Sequence, residues 1–503
     1  MPATAPDAAG TALAPDALRR RVRAAWSRGE IGAAFDAAWA TLDAERGRDA
    51  KALLADLLRD YPQELPLARR DDYLALLTDP DVEPNMIGVA GWHLLLRGGF
   101  ADLPEATLAA RIEGDALALA LLNEAPVAFA PAEGLLARLR RWLLMSRRWG
   151  AHPQLTDALT AQAALNGGAW PFDEAERAAL TDSPMLAAYL PPRDAETKSS
   201  EVGDPVTRAV TGQYEDWPYP QWTRITRRSP STLPAAFRNL EAAAMEQVPA
   251  DADVLVAGCG TGREAAGLGW HYPDSRVTAI DVSAASLAYA SRQCARNGIA
   301  NVRFVRLDLH DVVSLGRRFH LIYCSGVLHH LPDPERGWRA LVDALAPGGV
   351  MQIMVYNRIA RLRVAGARRL IADLAGEPIT DDLLRRVRRR MLDMRDHPLA
   401  AHVLLSPDFA TLSGTHDLLL HRHEDPFDLE RISCAIEKLG LRLFGFTLSS
   451  PQVEARYQAA YPGDPWHRDL PSLMAFERSQ LGQLDNYRFW CGRSAPARHS
   501  GQA

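Results

Sequence analysis

Lysine is nearly missing from this chain: it occurs only at positions 51, 198 and 438, so almost every cationic side chain is an arginine. Alongside abundant alanine, this reads as a GC-rich coding sequence and carries no functional signal. No charge of one sign dominates either. The 57 Lys and Arg against 62 Asp and Glu leave a net charge of −5, which excludes a global pull toward nucleic acid or an anionic membrane. Cysteine is sparse and scattered, at 259, 294, 324, 434 and 491, with no C-x-x-C pair. That spacing argues against a disulfide framework and against a zinc site, and no metal is expected. The expected compartment is a reducing cytoplasm. Long apolar runs are lacking as well: nothing approaches the ~18 uncharged apolar residues of a membrane span. The most apolar window, residues 116–130, is interrupted by Asn123, Glu124 and Pro126. The N-terminus has no apolar signal-peptide core. What remains is a globular composition, 47% hydrophobic and 24% charged, over 503 residues, enough for two or three domains.

Composition and periodicity divide the chain. Residues 1–15 read as a disordered leader. Residues 16–192 read as an all-α region of amphipathic blocks at 17–28, 31–46, 50–61, 71–78, 104–120, 133–149 and 154–165. Leu136, Leu139, Leu143 and Leu144 show the i, i+3, i+7, i+8 stripe of a helix packed on neighbours. Residues 193–234 read as a linker followed by an aromatic segment, in which Tyr214, Trp217, Tyr219 and Trp222 crowd together. Such a segment is either a strip packed on the next domain, a lid over a ligand, or both. Residues 235–495 read as α/β.

The chemistry starts inside that last region. Val254, Leu255, Val256 and Ala257 form an apolar run, read as a buried parallel strand, that stops at Gly258, Gly260 and Gly262. A helix opens at Glu264, and the next apolar segment, 276–280, ends in Asp281. Strand, glycine turn, helix, strand and acid in this order form a nucleoside-binding half of a doubly wound sheet, with the acid placed for ribose hydroxyls. Dinucleotide sites use G-x-G-x-x-G, but here Arg263 occupies the position of the third glycine. The pattern fits better a ligand with a carboxylate near the helix start and an adenosine further out. S-adenosylmethionine (SAM) is that ligand. Further strands are expected at 302–307, 321–324, 350–356, 441–448 and 487–491, with an antiparallel edge. Insertions are expected at 358–415 and 449–485. Eleven arginines between 358 and 395 suggest a solvated helix face or, alternatively, contacts to an acidic substrate or nucleic acid. Without interleaved aromatics they do not suit single strands.

Residues 254–262, Asp281-Val282-Ser283, Leu307-Asp308-Leu309, residues 326–331 and residues 345–349 together resemble the class I SAM-dependent methyltransferases. Residues 161–166, 214–220, 416–421 and 487–490 are similar to bacterial members often fused to tetratricopeptide repeats. The resemblance implies a Rossmann-like, doubly wound, seven-stranded sheet preceded by an all-α domain. It assigns Ala257, Gly258, Cys259, Gly260, Thr261 and Gly262 to the methionine half of SAM and Asp281 to the ribose. It sets Val282, Asp308 and Leu309 at the adenine, and Ser325 with Gly326 beneath the methyl donor. Many members carry an acid where this chain has Val256, which leaves the SAM ammonium to other groups. A base is needed only if the acceptor must lose a proton. Candidates are His329, His330, His416, His421, His423, Glu424 and Tyr219, and residues 416–424 read as a wall of the substrate pocket. The favoured expectation is a methyltransferase acting on a protein or peptide side chain recruited by the helical region. A small-molecule acceptor and a non-catalytic SAM-binding module are the alternatives. Neither a membrane nor nucleic acid is expected as a partner.

Overall fold

The computed structural model describes residues 15–190, 204–236, 248–249, 251–480 and 484–493. Residues 1–14 of the expected leader and the linker residues 193–203 lie outside them.

Ten helices make up the described N-terminal region before residue 182: Pro15–Ser27, Ile31–Glu45, Arg48–Asp60, Arg70–Leu77, Pro84–Leu95, Glu105–Glu113, Ala116–Glu124, Ala130–Met145, Pro153–Asn166 and Glu174–Thr181. The leucine stripe at 136, 139, 143 and 144 is fully buried in one core shared with Tyr73, Trp92, Phe100 and Trp170. The block expected at 104–120 is two helices, because the Asp115 carboxylate caps a new one by accepting the Leu117 and Ala118 N–H groups, both at 3.0 Å. The helix Pro84–Leu95 escapes a search for amphipathic period because it is buried on nearly all sides, Ile87, Ala90, Trp92, Leu94 and Leu95 included. Gln162, from the 161–166 motif, is structural: its amide accepts from Val127 N–H at 3.0 Å and donates to the Leu122 and Ala125 carbonyls.

The α/β region holds strands β1 (Asp253–Ala257), β2 (Arg276–Asp281), β3 (Val302–Arg306), β4 (Phe319–Ser325), β5 (Leu345–Tyr356), β6 (Arg442–Thr447) and β7 (Asn486–Gly492). Their order is β3-β2-β1-β4-β5-β7-β6. β1 to β5 pair in parallel, and β7 runs antiparallel to both β5 and β6. The antiparallel strand is therefore one in from the edge, where the sequence had suggested the edge itself. The order reverses at β1 and β4, and ligands in such sheets bind outside the carboxyl ends of the strands at that switch.

The first insertion folds into helices Arg358–Arg369, Asp381–Asp393, Pro398–Leu404 and Leu412–Leu420 around their own apolar core. Its arginines are not one solvated face. Arg388 is fully buried and its guanidinium donates to both Glu133 oxygens, at 2.7 and 2.6 Å. Arg385, also buried, donates to the carbonyls of Gly168 and Tyr189 at 2.8 and 2.7 Å. Arg361 and Arg368 converge on Glu424. Two of the arginines thus fasten the insertion to the helical region.

The aromatic segment runs between the three pieces and touches each. Trp217 Nε1 donates to Asp381 at 3.1 Å, and Trp222 Nε1 donates to the Thr261 carbonyl at 2.9 Å. Arg224 reaches Glu124 and the Leu77 carbonyl, each at 2.7 Å. Glu215 accepts from the Ala284 and Ala285 N–H groups and so caps the helix Ala284–Arg296.

Candidate active site

At the carboxyl ends of β1, β2 and β4 lies a cavity of about 750 Å³. Its floor begins where β1 runs into the glycine loop. Gly258, Gly260 and Gly262 have φ of +65°, +51° and +77°, the left-handed region that glycine adopts without strain. A Cβ on Gly258 would lie 2.4 Å from Val327, and one on Gly260 would lie 2.9 Å from the Tyr219 carbonyl. Gly262 has a different task. It caps the helix Arg263–His271, and its own Cβ would strike Ala290 at 2.6 Å. Here the close packing of this helix start against the helix Ala284–Arg296, and against Phe304 of β3, rests on the fifth position of the motif.

Asp281 ends β2 and is buried. Its carboxylate accepts the Gly260 N–H at 2.7 Å and the Ser283 N–H at 2.9 Å, and burial pushes its pKa up. Asp308 follows β3. A hydrogen bond from the His310 ring, 2.8 Å away, holds its carboxyl below the usual range against the opposing effect of burial. Among the expected cofactor residues, Ala257, Gly258, Cys259, Gly260, Asp281, Val282, Asp308, Leu309, Ser325 and Gly326 line the cavity; Thr261 and Gly262 stand behind it. The helix Pro205–Asp216 closes one side with Thr207, Val210 and Tyr214. The helical region closes another with Asp56, Arg59, Glu83 and Met86, and Arg263 pairs with Glu83 there at 2.7 Å.

Tyr219, His329 and His421, three of the expected catalytic candidates, separate. Tyr219 lines the cavity and its hydroxyl donates to Asp408. His329 does not reach the cavity. It is fully buried, stacks on Tyr356 at 3.8 Å, and Nδ1 accepts the Tyr356 N–H at 3.2 Å. Desolvation drives its pKa well down, so it is a neutral packing group. His421 is also withdrawn from the wall: it stacks on His330 at 3.8 Å and its Nδ1 accepts the His423 N–H. Burial, then the neighbouring His330 and His416, hold it neutral. The residues that do face the cavity here include Asp417, from the 416–424 segment expected as a pocket wall, and Asp408, an acid of which the sequence carries no sign. Asp417 is buried in the helix Leu412–Leu420 and accepts the Tyr214 O–H at 2.7 Å. Burial pushes its pKa up to about 7, against the opposing effect of that hydrogen bond. A lone acid inside a wholly buried helix was the signal available in the sequence.

Comparison with known proteins agrees with this geometry. Residues 255–351 match the family model described as a methyltransferase domain. An uncharacterized protein of Synechococcus is 32% identical over 323 residues, spanning 58% of this chain and 73% of that one. The chain belongs to the class I SAM-dependent methyltransferases. The methyltransferase is also 29% identical over 275 residues to the trans-aconitate 2-methyltransferase of Methylobacterium radiotolerans, covering 52% of this chain and 96% of that protein. Among solved structures, PKMT2 from Rickettsia typhi in complex with AdoHcy aligns with TM-score 0.39 at 16% identity, over 53% of this chain and 54% of that one. The cofactor of this methyltransferase is SAM. Its cavity suits that molecule: glycines admit close approach, and beside them stands a buried acid oriented by two backbone amides, one of them from Gly260.

Proposed function

We propose that this enzyme methylates a small-molecule acceptor enclosed between the carboxyl edge of the sheet and the helical region. The observation that carries the reading is that one cavity is walled by both: Asp56, Arg59, Glu83 and Met86 face the same space as Gly258, Asp281 and Ser325. A volume of about 750 Å³ lies within the range of about 300–1,000 Å³ usual for small-molecule sites. The relative named trans-aconitate 2-methyltransferase supports a small acceptor too. A helical region whose residues are spent on the wall, and which the Arg388–Glu133 pair holds in place, fits this role better than that of a docking arm for protein substrates.

In this reading residues 257–260 hold the methionine half of SAM, with Thr261 and Gly262 shaping the loop behind them, and Asp281 holds the ribose. Val282, Asp308 and Leu309 surround the adenine, and Ser325 with Gly326 form the floor under the methyl group. SAM supplies an electrophilic methyl on a sulfonium. The chain's contribution is position and dryness: Tyr214, Tyr219 and the helix Pro205–Asp216 exclude water, and fixing two reactants in line accounts for about 7–11 kcal/mol of barrier. The test follows methyl-labelled SAM into an extract of the producing organism with purified enzyme added, separated by size. Enzyme-dependent label below the cutoff is expected. Label confined to macromolecules would overturn the small-acceptor reading.

A further inference from the structure

We propose that the methyl acceptor is a cationic amine, held by Asp417 and Asp408 among the rings of Tyr214, Tyr219 and Tyr356. This rests on the cofactor reading above. The five residues come from the helix Pro205–Asp216, the aromatic segment behind it, the end of β5 and the first insertion, and all line the same cavity as Ser325 and Gly326.

Two independent features point to a missing cation. The first is electrostatic. Asp417 is 4% exposed, and among the described residues neither it nor Asp408 pairs with an arginine or lysine. Tyr214 donates to Asp417, while Tyr219 donates to Asp408 and Ser406 Oγ lies 3.2 Å from it. His421 lies 4.0 Å from Asp417 but is held neutral. The nearby Arg361 is turned to Glu424 and lies over the Tyr356 ring at 4.3 Å. A buried carboxylate without a countercharge is costly, and a ligand cation removes that cost. The second feature is Tyr356. It lines the cavity with the His329 ring stacked on it and Arg361 over it, and among the described residues its hydroxyl makes no hydrogen bond. A phenol oxygen free to accept, beside two carboxylates without a countercharge, suits an N–H-rich cation. An acceptor carboxylate meets like charge here, and a neutral hydroxyl leaves the acids unpaired.

The chemistry balances without a further reagent. Asp417 accepts one proton from the ammonium, and the freed nitrogen lone pair forms the N–C bond. The methyl C–S bond breaks with its electron pair left on sulfur, giving a thioether and a methylated ammonium. Asp417 then returns its proton to solvent. A carboxyl that titrates near 7 is matched to taking and releasing a proton at neutral pH.

The test uses the full chain, methyl-labelled SAM and the low-mass fraction of an extract from the producing organism. The labelled product is expected to bind a cation exchanger at pH 7 and to survive mild alkali, as N-methyl amines do. Label that alkali releases as methanol, or that passes the exchanger as a neutral or anionic compound, overturns the proposal. Absence of transfer overturns instead the reading under Proposed function. Asp417→Asn and Tyr356→Phe preserve shape. Asp417→Asn is expected to lower transfer at least about tenfold while S-adenosylhomocysteine binds within about twofold of wild type. Loss of S-adenosylhomocysteine binding in Asp417→Asn also overturns the proposal, since the acids then hold the cofactor's own ammonium. Tyr356→Phe is expected to weaken transfer through the acceptor KM and not through cofactor affinity.

Discussion

Asp417 carries a stability prediction as well as a chemical one. Tyr214 and Tyr219 face it from the aromatic segment and the helix before it. Asp408 and Arg361 face it from the insertion, Glu424 from the loop leading to Phe427, and Tyr356 and His330 from the sheet ends. His416 and His421 belong to its own helix and that helix's end. Its pKa is about 7 in the fold against about 3.9 unfolded. A raised carboxyl pKa means that stability is fully present below about pH 4 and is lost as the pH rises through about 7, by about 4 kcal/mol at most. Asp417→Asn should therefore raise the unfolding temperature of the ligand-free enzyme at pH 8 and change it little at pH 4. Equal or lower stability of the variant at pH 8 would contradict the burial argument. The sequence revealed Asp281 and Asp308 because each ends a recognisable strand. It hid Asp408, showed Asp417 only as one residue of a pocket wall, and favoured His329 and His421, because residues 219, 356, 408 and 417 meet only through tertiary folding, and proximity to β4 in sequence says nothing about which way an imidazole turns.

At the scale of elements, what was legible was local. The strand, glycine loop, helix and acid of residues 253–281 follow from period and glycine placement, and the structure places them accordingly. The position of β7 between β5 and β6 depends on pairing between distant segments, which no local pattern encodes. The arginine-rich insertion misled for a related reason. Arg388 looks like a solvated charge until its partner, Glu133, is brought to it from 255 residues away. Breaking that buried pair leaves one charge uncompensated, so Arg388→Ala should destabilise the enzyme by about 3–5 kcal/mol, whereas Arg388→Met with Glu133→Leu should recover most of the loss. Chemical denaturation of the three proteins measures both values. A single variant as stable as wild type would show that the insertion is not anchored there.

The whole molecule is a sheet domain of familiar order whose ligand space is finished by two additions, a helical region in front and an insertion behind β5, tied together by the segment holding Tyr214, Trp217, Tyr219 and Trp222. The crowded aromatics divide this work: Tyr214, Trp217 and Tyr219 hold the insertion, and Trp222 holds the glycine loop. The central claim is that the cavity so formed receives SAM with Asp281 at its ribose end. Calorimetric titration of SAM into the full chain and into Asp281→Ala, each checked by circular dichroism for an intact fold, tests it most directly. The account predicts saturable binding to the wild type and none measurable with the variant. Equal affinity in a folded variant would contradict it.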